Sequence, residues 1–177
     1  QERVLPHTDK DQTAWTGIKW GTENQVEWQC AIRTGASIAN VGIWAGLRSA
    51  TGASQVGATA AAYTEDNNQA MFLFSTDDDL GTITTQANLH FVYSIAGTDY
   101  VTDLGIAVAA STTYKLRIVV DSNRQVSVYV NGVQYGLTST ATTPYTESTS
   151  TTLSTALTND IDLITYVGVQ ALAGAGK

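Results

Sequence analysis

The feature that most constrains the fold is the segment of residues 114–137, which reads YKLRIVVDSNRQVSVYVNGVQYGL. It holds two strand-length runs in which apolar residues occupy every second position: Tyr114, Leu116, Ile118 and Val120, then Val126, Val128 and Val130. A period of two turns one face of a strand to a core and the other to water or to a second layer. We therefore predict that these residues point inward, and that the outward face carries Lys115, Arg117, Ser127 and Tyr129.

Two turn signals connect these runs. Asp121-Ser122-Asn123-Arg124 is a polar linker of the kind that closes a hairpin. Asn131-Gly132 is the pair that best tolerates the positive φ angles of a type I′ turn. The chain then returns through residues 133–136, so the segment is predicted to be a three-stranded antiparallel meander.

Strand patterns recur along the rest of the chain. Residues 25–33 place Val26, Trp28, Cys30 and Ile32 inward. In residues 38–48, Trp44 points away from the apolar face, together with Gly42 and Gly46. Residues 69–76 are apolar on both faces, which predicts a central strand. Residues 88–96 and 99–104 form a hairpin around Gly97-Thr98, and residues 161–172 carry the last strand pattern. The pattern indicates an all-β protein with two packed antiparallel sheets.

Composition narrows the class of protein and of partner. Hydrophobic residues make up 43% of the 177 residues and charged residues only 14%, which favours many short strands joined by small-residue turns in a single domain. The formal net charge of −7 argues against nucleic acid as a partner and against an anionic membrane surface. No apolar run approaches the ~20 residues of a membrane span, so membrane insertion is not expected. No cofactor is predicted.

The single cysteine and the start of the chain carry two further expectations. Cys30 excludes an intrachain disulfide, and we interpret it as a small buried hydrophobe in a protein that folds in a reducing compartment. Residues 1–24 are polar and irregular and contain Trp15 and Trp20. They are predicted to be an N-terminal arm that docks on the domain or on a neighbouring subunit, with residues 25–177 forming the β-sandwich domain.

The meander also carries a family resemblance. Its pattern Y-x-L-x-I-x-x-D followed by V-x-V-Y-V-N-G resembles the central hairpin of the concanavalin A-like (laminin-G-like) jelly-roll sandwiches. More narrowly, the chain resembles the versions of that sandwich in structural proteins of tailed bacteriophages, as capsid decorations or tail fibres. Residues 89–93, 97–100 and 163–170 add to the narrower resemblance, which covers residues 25–170.

The resemblance implies a virion protein that assembles in the host cytoplasm and contacts other capsid or tail proteins. Relatives usually add one more strand after a segment such as residues 161–172, and this sequence lacks that closing strand. Either the first segment or a partner chain fills the gap, or the polypeptide was cut short. Because an open sheet edge is a pairing template, a homo-oligomer is expected.

No catalytic residue is predicted. Glycoside hydrolases with this fold carry closely spaced acidic residues on one strand, whereas the five glutamates here are dispersed: Glu2, Glu23, Glu27, Glu65 and Glu147. Of the two histidines, His7 lies in the arm and His90 is expected to be a half-exposed strand residue, not a general base.

One group of acidic and amide side chains has the ligand types of a calcium site. Its candidate ligands are Asp77, Asp78 and Asp79, with Asp66, Asn67 and Asn68 nearby. Calcium prefers several loop oxygens, but consecutive aspartates point in different directions and often only solvate a turn. No metal site is therefore assigned.

Aromatic residues raise the possibility of sugar binding, because a flat ring beside amides suits the face of a pyranose. The candidates are Trp44, Tyr63, Tyr100, Tyr129, Tyr135 and Tyr145. Alternatively, most of them lie between the two sheets. The sequence thus favours a non-enzymatic virion structural module. A lectin-like module that binds a host surface glycan is the main alternative, and a polysaccharide hydrolase is a weaker one.

Overall fold

The computed structural model describes residues 2–4, 26–49, 68–76, 85–138, 155–158 and 163–171. Within these ranges the chain forms ten strands: β1 (Glu2–Val4), β2 (Val26–Arg33), β3 (Val41–Ser49), β4 (Gln69–Ser75), β5 (Asn88–Ile95), β6 (Thr98–Ala107), β7 (Thr113–Val120), β8 (Val126–Val130), β9 (Val133–Tyr135) and β10 (Leu163–Ala171). The same ranges contain no helix, so the all-β prediction is confirmed. Consequently, this part of the chain has no helix able to cross a membrane.

The strands form two sheets. The larger sheet has the order β1-β10-β3-β4-β5-β6 and the smaller has the order β2-β7-β8-β9. Every strand pair is antiparallel. The predicted pair of antiparallel sheets is therefore confirmed.

The meander of β7, β8 and β9 is also confirmed, and its turns have the expected chemistry. Asn131 and Gly132 have φ angles of 51° and 85°, as a type I′ turn requires. Lys115 N donates to Asn131 Oδ1 at 2.9 Å, and Asn131 N donates to Lys115 O at 2.8 Å. In the linker before β8, Asp121 Oδ1 accepts hydrogen bonds from the backbone N–H groups of Asn123 and Gln125, each at 2.8 Å.

The main core lies between the two sheets. Ile118 of β7 pairs directly with Trp28 on one side and Val128 on the other, and all three are buried as predicted. From the larger sheet, Phe72 and Phe91 meet edge to face with their ring centroids 5.1 Å apart. Alternation of apolar side chains on both inner faces therefore builds one continuous core.

The larger sheet buries its second face as well. Trp44 points away from the main core, as the sequence predicts, and is only 1% exposed. It belongs to a second cluster formed with Met71, Leu73, Val92, Val101 and Tyr166. A glycine two residues away on the same strand makes room for the large ring, since a Cβ on Gly42 would lie 2.6 Å from the Trp44 ring. Every residue of β4 is buried, which confirms that this strand is central.

The edges of the sheets answer one question that the sequence left open. The first segment of the chain does fill the place beside the last strand, because β1 pairs with β10. The rest of the predicted arm, with Trp15 and Trp20, lies outside the described residues. On the smaller sheet β2 is an edge strand, and Cys30 is only half-buried there, so the prediction of a buried thiol was wrong.

Two boundaries differ from prediction because single residues adopt positive φ. Asn40 has a φ of 54°, so a turn precedes β3 and the strand begins at Val41 instead of Ile38. Ala96 and Gly97 have φ angles of 49° and 83°, so the turn between β5 and β6 falls one residue earlier than Gly97-Thr98. Asn tolerates this conformation, but Ala rarely does, which is why the sequence misplaces the second turn.

Candidate functional site

The candidate site is the outer face of the smaller sheet, where polar side chains of four strands align in one row. Gln29 of β2 pairs with Arg117 of β7, Arg117 with Tyr129 of β8, and Tyr129 with Gln134 of β9. Cross-strand partners project from the same face, so two amides, a guanidinium and a phenol ring lie side by side. The sequence correctly predicted Arg117 and Tyr129 on this face.

Arg117 is held in place from two sides. Its Nη2 donates to Glu27 Oε2 at 2.8 Å, and its guanidinium carbon lies 4.8 Å from the centroid of the Tyr129 ring. Gln29 donates a second hydrogen bond to the Glu27 carboxylate. The hydrogen bonds from Arg117 and then Gln29 lower the pKa of Glu27, so the ion pair persists in mildly acidic solution. These contacts preorganise the row without burying it.

A shallow groove of about 440 Å³ runs beside this row. Its lining comprises Gln29, Cys30, Ala31, Lys115, Leu116, Arg117, Tyr129 and Gly132. Ala31 and Gly132 carry little or no side chain, which leaves space between the taller Lys115, Arg117 and Tyr129. Within the described part of the chain, the Lys115 ammonium has no ion-pair partner. The groove thus offers an aromatic ring, amides and a cation to a polar ligand.

The outer face of the larger sheet carries a different polar group, which is buried. Asp103 accepts hydrogen bonds from Thr85 Oγ1 at 2.6 Å, from Gly105 N at 2.7 Å and from Asn88 Nδ2 at 3.0 Å. His90 pairs with Asp103 across β5 and β6 and is 1% exposed, so the expectation of a half-exposed histidine was wrong. The reason is that its strand position faces the second buried layer, between Leu73 and Asp103.

The two buried aspartates respond to their surroundings in opposite ways. Burial alone would raise the pKa of Asp103, but the hydrogen bonds from Thr85, Gly105 and Asn88 and the charge of His90 outweigh it and lower that pKa. For Asp99, burial raises the pKa, although a hydrogen bond from Ser94 Oγ at 2.6 Å acts in the opposite direction. Both carboxyl groups are therefore committed to partners inside the protein.

Sequence reasoning missed these two carboxyl groups. Asp99, Val101 and Asp103 occupy alternate positions of one strand, so they share a face. The pattern D-x-V-x-D in residues 99–103 is the signal that was available. It indicates a shared face but not that the face is buried.

Of the four aromatic candidates that the structure describes, only Tyr129 lies on the exposed face. Trp44 is buried in the second cluster, and Tyr100 stacks on Tyr93 toward the main core with the ring centroids 4.6 Å apart. Tyr135 shares the inward face of its partner Val128. Tyr129 remains available, and Tyr63 and Tyr145 lie outside the described residues. The alternative that most of these aromatics lie between the two sheets holds for two of the four described ones, Tyr100 and Tyr135, because Trp44 is buried on the other face of the larger sheet and Tyr129 lies on the outer face.

The calcium candidates Asp77, Asp78 and Asp79, and the nearby Asp66 and Asn67, lie outside the described residues. Asn68 is described, and its Oδ1 accepts a hydrogen bond from Ala96 N at 3.1 Å, which ties it to the turn between β5 and β6. Among the described residues, no three His, Cys, Asp or Glu side chains lie close enough together to hold a metal ion.

Comparisons with known proteins do not identify the chain: no protein-family model matches it, and no curated protein matches it. Its function has to be inferred from the residues and their geometry.

Proposed function

We propose that this chain is a non-enzymatic structural module of a bacteriophage virion, a capsid decoration or a part of a tail fibre, with a concanavalin A-like jelly-roll fold. Its role is to make protein–protein contacts on the particle. The observation that carries the proposal is the distribution of exposure. In the described part of the chain most of the larger sheet is buried on both faces, with exposed residues such as Val169 near one edge, whereas the outer face of the smaller sheet is accessible.

The acidic residues of the larger sheet support a non-enzymatic role. Asp99 and Asp103 are four residues apart on β6, which separates their Cα atoms by about 13 Å. Paired catalytic carboxyl groups of glycosidases lie roughly 5–9.5 Å apart and face a groove. Asp103 is instead saturated by hydrogen-bond donors, and both side chains are buried. This geometry suits a scaffold and not an acid–base pair.

The virion part of the proposal is supported by the resemblance of β7 and β8, with the turn that follows them, to the central hairpin of phage structural sandwiches. A sparsely charged, polar surface is also suited to packing against other proteins in a particle.

The proposal is tested by immunogold electron microscopy of particles made by the genome that encodes the chain. An antibody raised against the purified chain is expected to label the head or the fibres of intact, density-purified particles. Particles that lack the chain, as judged by both labelling and mass spectrometry of their proteins, would refute the virion role.

A second candidate function, binding of a host surface glycan, is favoured by one observation. Tyr129 lies on the accessible face between Arg117 and Gln134, beside the groove that also contains Gln29 and Lys115. Sugar-binding sites combine an aromatic surface with amide and charged groups that hydrogen-bond hydroxyls.

For this second function we expect that Tyr129→Ala lowers the affinity for a glycan found on an array by roughly 3- to 10-fold, because the ring contact is lost. Ser127→Ala is the matched control, since Ser127 lies two residues earlier on the same face of β8 and outside the groove. Affinity is measured by titration of both variants with the glycan. Equal affinity of Tyr129→Ala and the wild type, or an array without any bound glycan, would exclude glycan binding in this groove.

A further inference from the structure

We propose that β2 pairs with the β2 strand of a second copy of this chain, antiparallel and around a twofold axis at Cys30. The two smaller sheets would then join into one eight-stranded sheet. The inference deepens the proposed structural role by naming one protein–protein contact, and it rests on that role only for its biological purpose. The pairing itself is argued from the geometry of β2.

Among the described strands, β2 has a neighbour on one edge only, and its other edge is open. On the occupied edge β2 pairs with β7 through eight consecutive residue pairs without interruption. The hydrogen bond from Thr34 N to Thr112 O, at 3.0 Å, continues this ladder. It therefore shows which residues of β2 direct their backbone groups to β7. In an antiparallel ladder, alternate residues turn their backbone groups to opposite sides. The even-numbered residues of β2 therefore bond to β7, whereas Glu27, Gln29, Ala31 and Arg33 turn their N–H and C=O groups outward.

The hydrogen bonds on the other side of β7 independently give the same assignment of inward and outward backbone groups. Asn131 N donates to Lys115 O, so the odd-numbered residues of β7 bond to β8 and its even-numbered residues face β2. On the outward side of β2, no backbone hydrogen bond occurs within the part of the chain that the structure describes. Four donors and four acceptors are thus presented in a regular row.

This edge lacks most of the usual protection against strand pairing. Natural edge strands are typically short, bulged, charged, covered by a helix or loop, or interrupted by proline. β2 carries two exposed charges, Glu27 and Arg33, but they have opposite signs. β2 is eight residues long, has a continuous register and contains no proline. Its inward residues Val26, Cys30 and Ile32 are only partly buried, whereas their partners on β7 are fully buried. A strand added at this edge would satisfy the backbone groups and cover these three side chains.

A second copy is the occupant that the charges favour. Pairing around Cys30 places Glu27 directly opposite the partner's Arg33, on the outer face where both side chains have space, and the twofold axis repeats this contact. A pairing shifted by two residues, centred on Gln29, would place Glu27 opposite the partner's Ala31 and lose both contacts. Opposite charges across a strand pair are stabilising, so the Cys30-centred register is preferred. The Glu27 carboxylate can accept this additional donor beside Arg117 and Gln29.

The same register sets the two thiols face to face. Cys30 bonds to β7, so across the new edge it forms a non-hydrogen-bonded pair with the partner's Cys30, with about 4.5 Å between their Cα atoms. This separation lies within the range that a disulfide spans, roughly 4.4–6.8 Å. Joining two thiols into a disulfide is a two-electron oxidation, so an added oxidant must accept the two electrons and two protons. Partial burial raises the pKa of the Cys30 thiol, which lowers the reactive thiolate fraction and slows this step. A cross-link at this position therefore reports the register.

The experiment compares the wild type with Ala31→Pro by sedimentation velocity over a wide dilution series. The Ala31 N–H points to the open edge, so proline removes a bond between copies and none to β7. We expect a concentration-dependent dimer for the wild type and a monomer for Ala31→Pro. Ala31→Thr keeps the N–H group and is the matched control, which should remain dimeric. Circular dichroism of each variant checks that it is folded.

A second variant serves if Ala31→Pro fails to fold. Arg33 is exposed and lies at the end of β2, and Arg33→Glu would face the partner's Glu27 at two symmetric places. We expect roughly ten-fold weaker dimerisation for Arg33→Glu, and much less weakening for the neutral Arg33→Gln. Treatment with diamide should link wild-type dimers through Cys30, and should link far fewer molecules of Arg33→Glu.

Two results would overturn the pairing: a wild-type chain that is monomeric at every concentration, or a dimer unaffected by both Ala31→Pro and Arg33→Glu. A dimer that diamide cannot link would overturn the Cys30-centred register. A monomeric chain found on virions would refute the pairing and leave the proposed function standing. A β2-linked dimer that is absent from virions would refute the proposed function and leave the pairing standing.

Discussion

Trp44→Ala is expected to lower the free energy of unfolding by about 3–5 kcal/mol, one of the two largest effects that we expect from a single substitution in this chain. The indole ring is 1% exposed and packs over Gly42 in the second cluster. Its removal loses the transfer free energy of a large apolar group and leaves a cavity. The surrounding strands cannot fill this cavity, because β3 is hydrogen-bonded on both sides, to β10 and β4.

The matched control is Tyr129→Ala, an aromatic truncation on the accessible face of the smaller sheet. Tyr129 is half-buried and loses mainly its contact with Arg117, so we expect a cost of about 1 kcal/mol or less. Urea unfolding followed by far-ultraviolet circular dichroism measures both variants. Similar losses for the two would mean that the second face of the larger sheet is not a packed layer.

Ile118→Ala should lower the free energy of unfolding by about 2–5 kcal/mol. Ile118 is fully buried in the main core and pairs with Trp28 and Val128. It also approaches the larger sheet closely, because a Cβ on Gly46 would lie 3.1 Å from Ile118 Cδ1. The substitution therefore opens a cavity at the interface of the two sheets.

Lys115→Ala is the control for Ile118→Ala, since Lys115 lies on the same strand and points to the opposite face. Its side chain is exposed and has no ion-pair partner within the described residues, so we expect a change below about 0.5 kcal/mol. The same urea titration is used. Equal destabilisation by the two variants would show that the register of β7 is wrong.

Trp44→Ala tests the second buried layer and Ile118→Ala tests the main core. Together these two layers limit the surface that stays accessible. The inner faces of both sheets form the main core, and Trp44 with its neighbours fills the second face of the larger sheet. Two features of the smaller sheet remain accessible: the row from Gln29 to Gln134 and the open edge of β2. Glycan binding is proposed at the row because its polar and aromatic side chains are exposed. Pairing with a second copy is proposed at the edge of β2 because its outward backbone groups have no partner among the described residues.

The sequence alone determined the local part of the fold. The alternation in residues 114–137 specified the inward faces of β7 and β8, and Asn131-Gly132 specified the turn before β9. Such features depend on residues close together in the chain, where a period of two and the steric tolerance of Asn and Gly allow few other conformations. The two-sided apolar character of β4 predicted its central position for the same reason.

The tertiary structure decided which outward faces are covered and which strands become neighbours. The pattern placed Trp44 and His90 away from the main core, but periodicity cannot distinguish a face in water from a face under a second layer. Similarly, the pairing of β1 with β10 joins residues from opposite ends of the chain, and no local signal encodes it. The open edge of β2 follows from the order of strands in the smaller sheet. Long-range packing sets that order, because each strand could satisfy its own pattern beside many different neighbours.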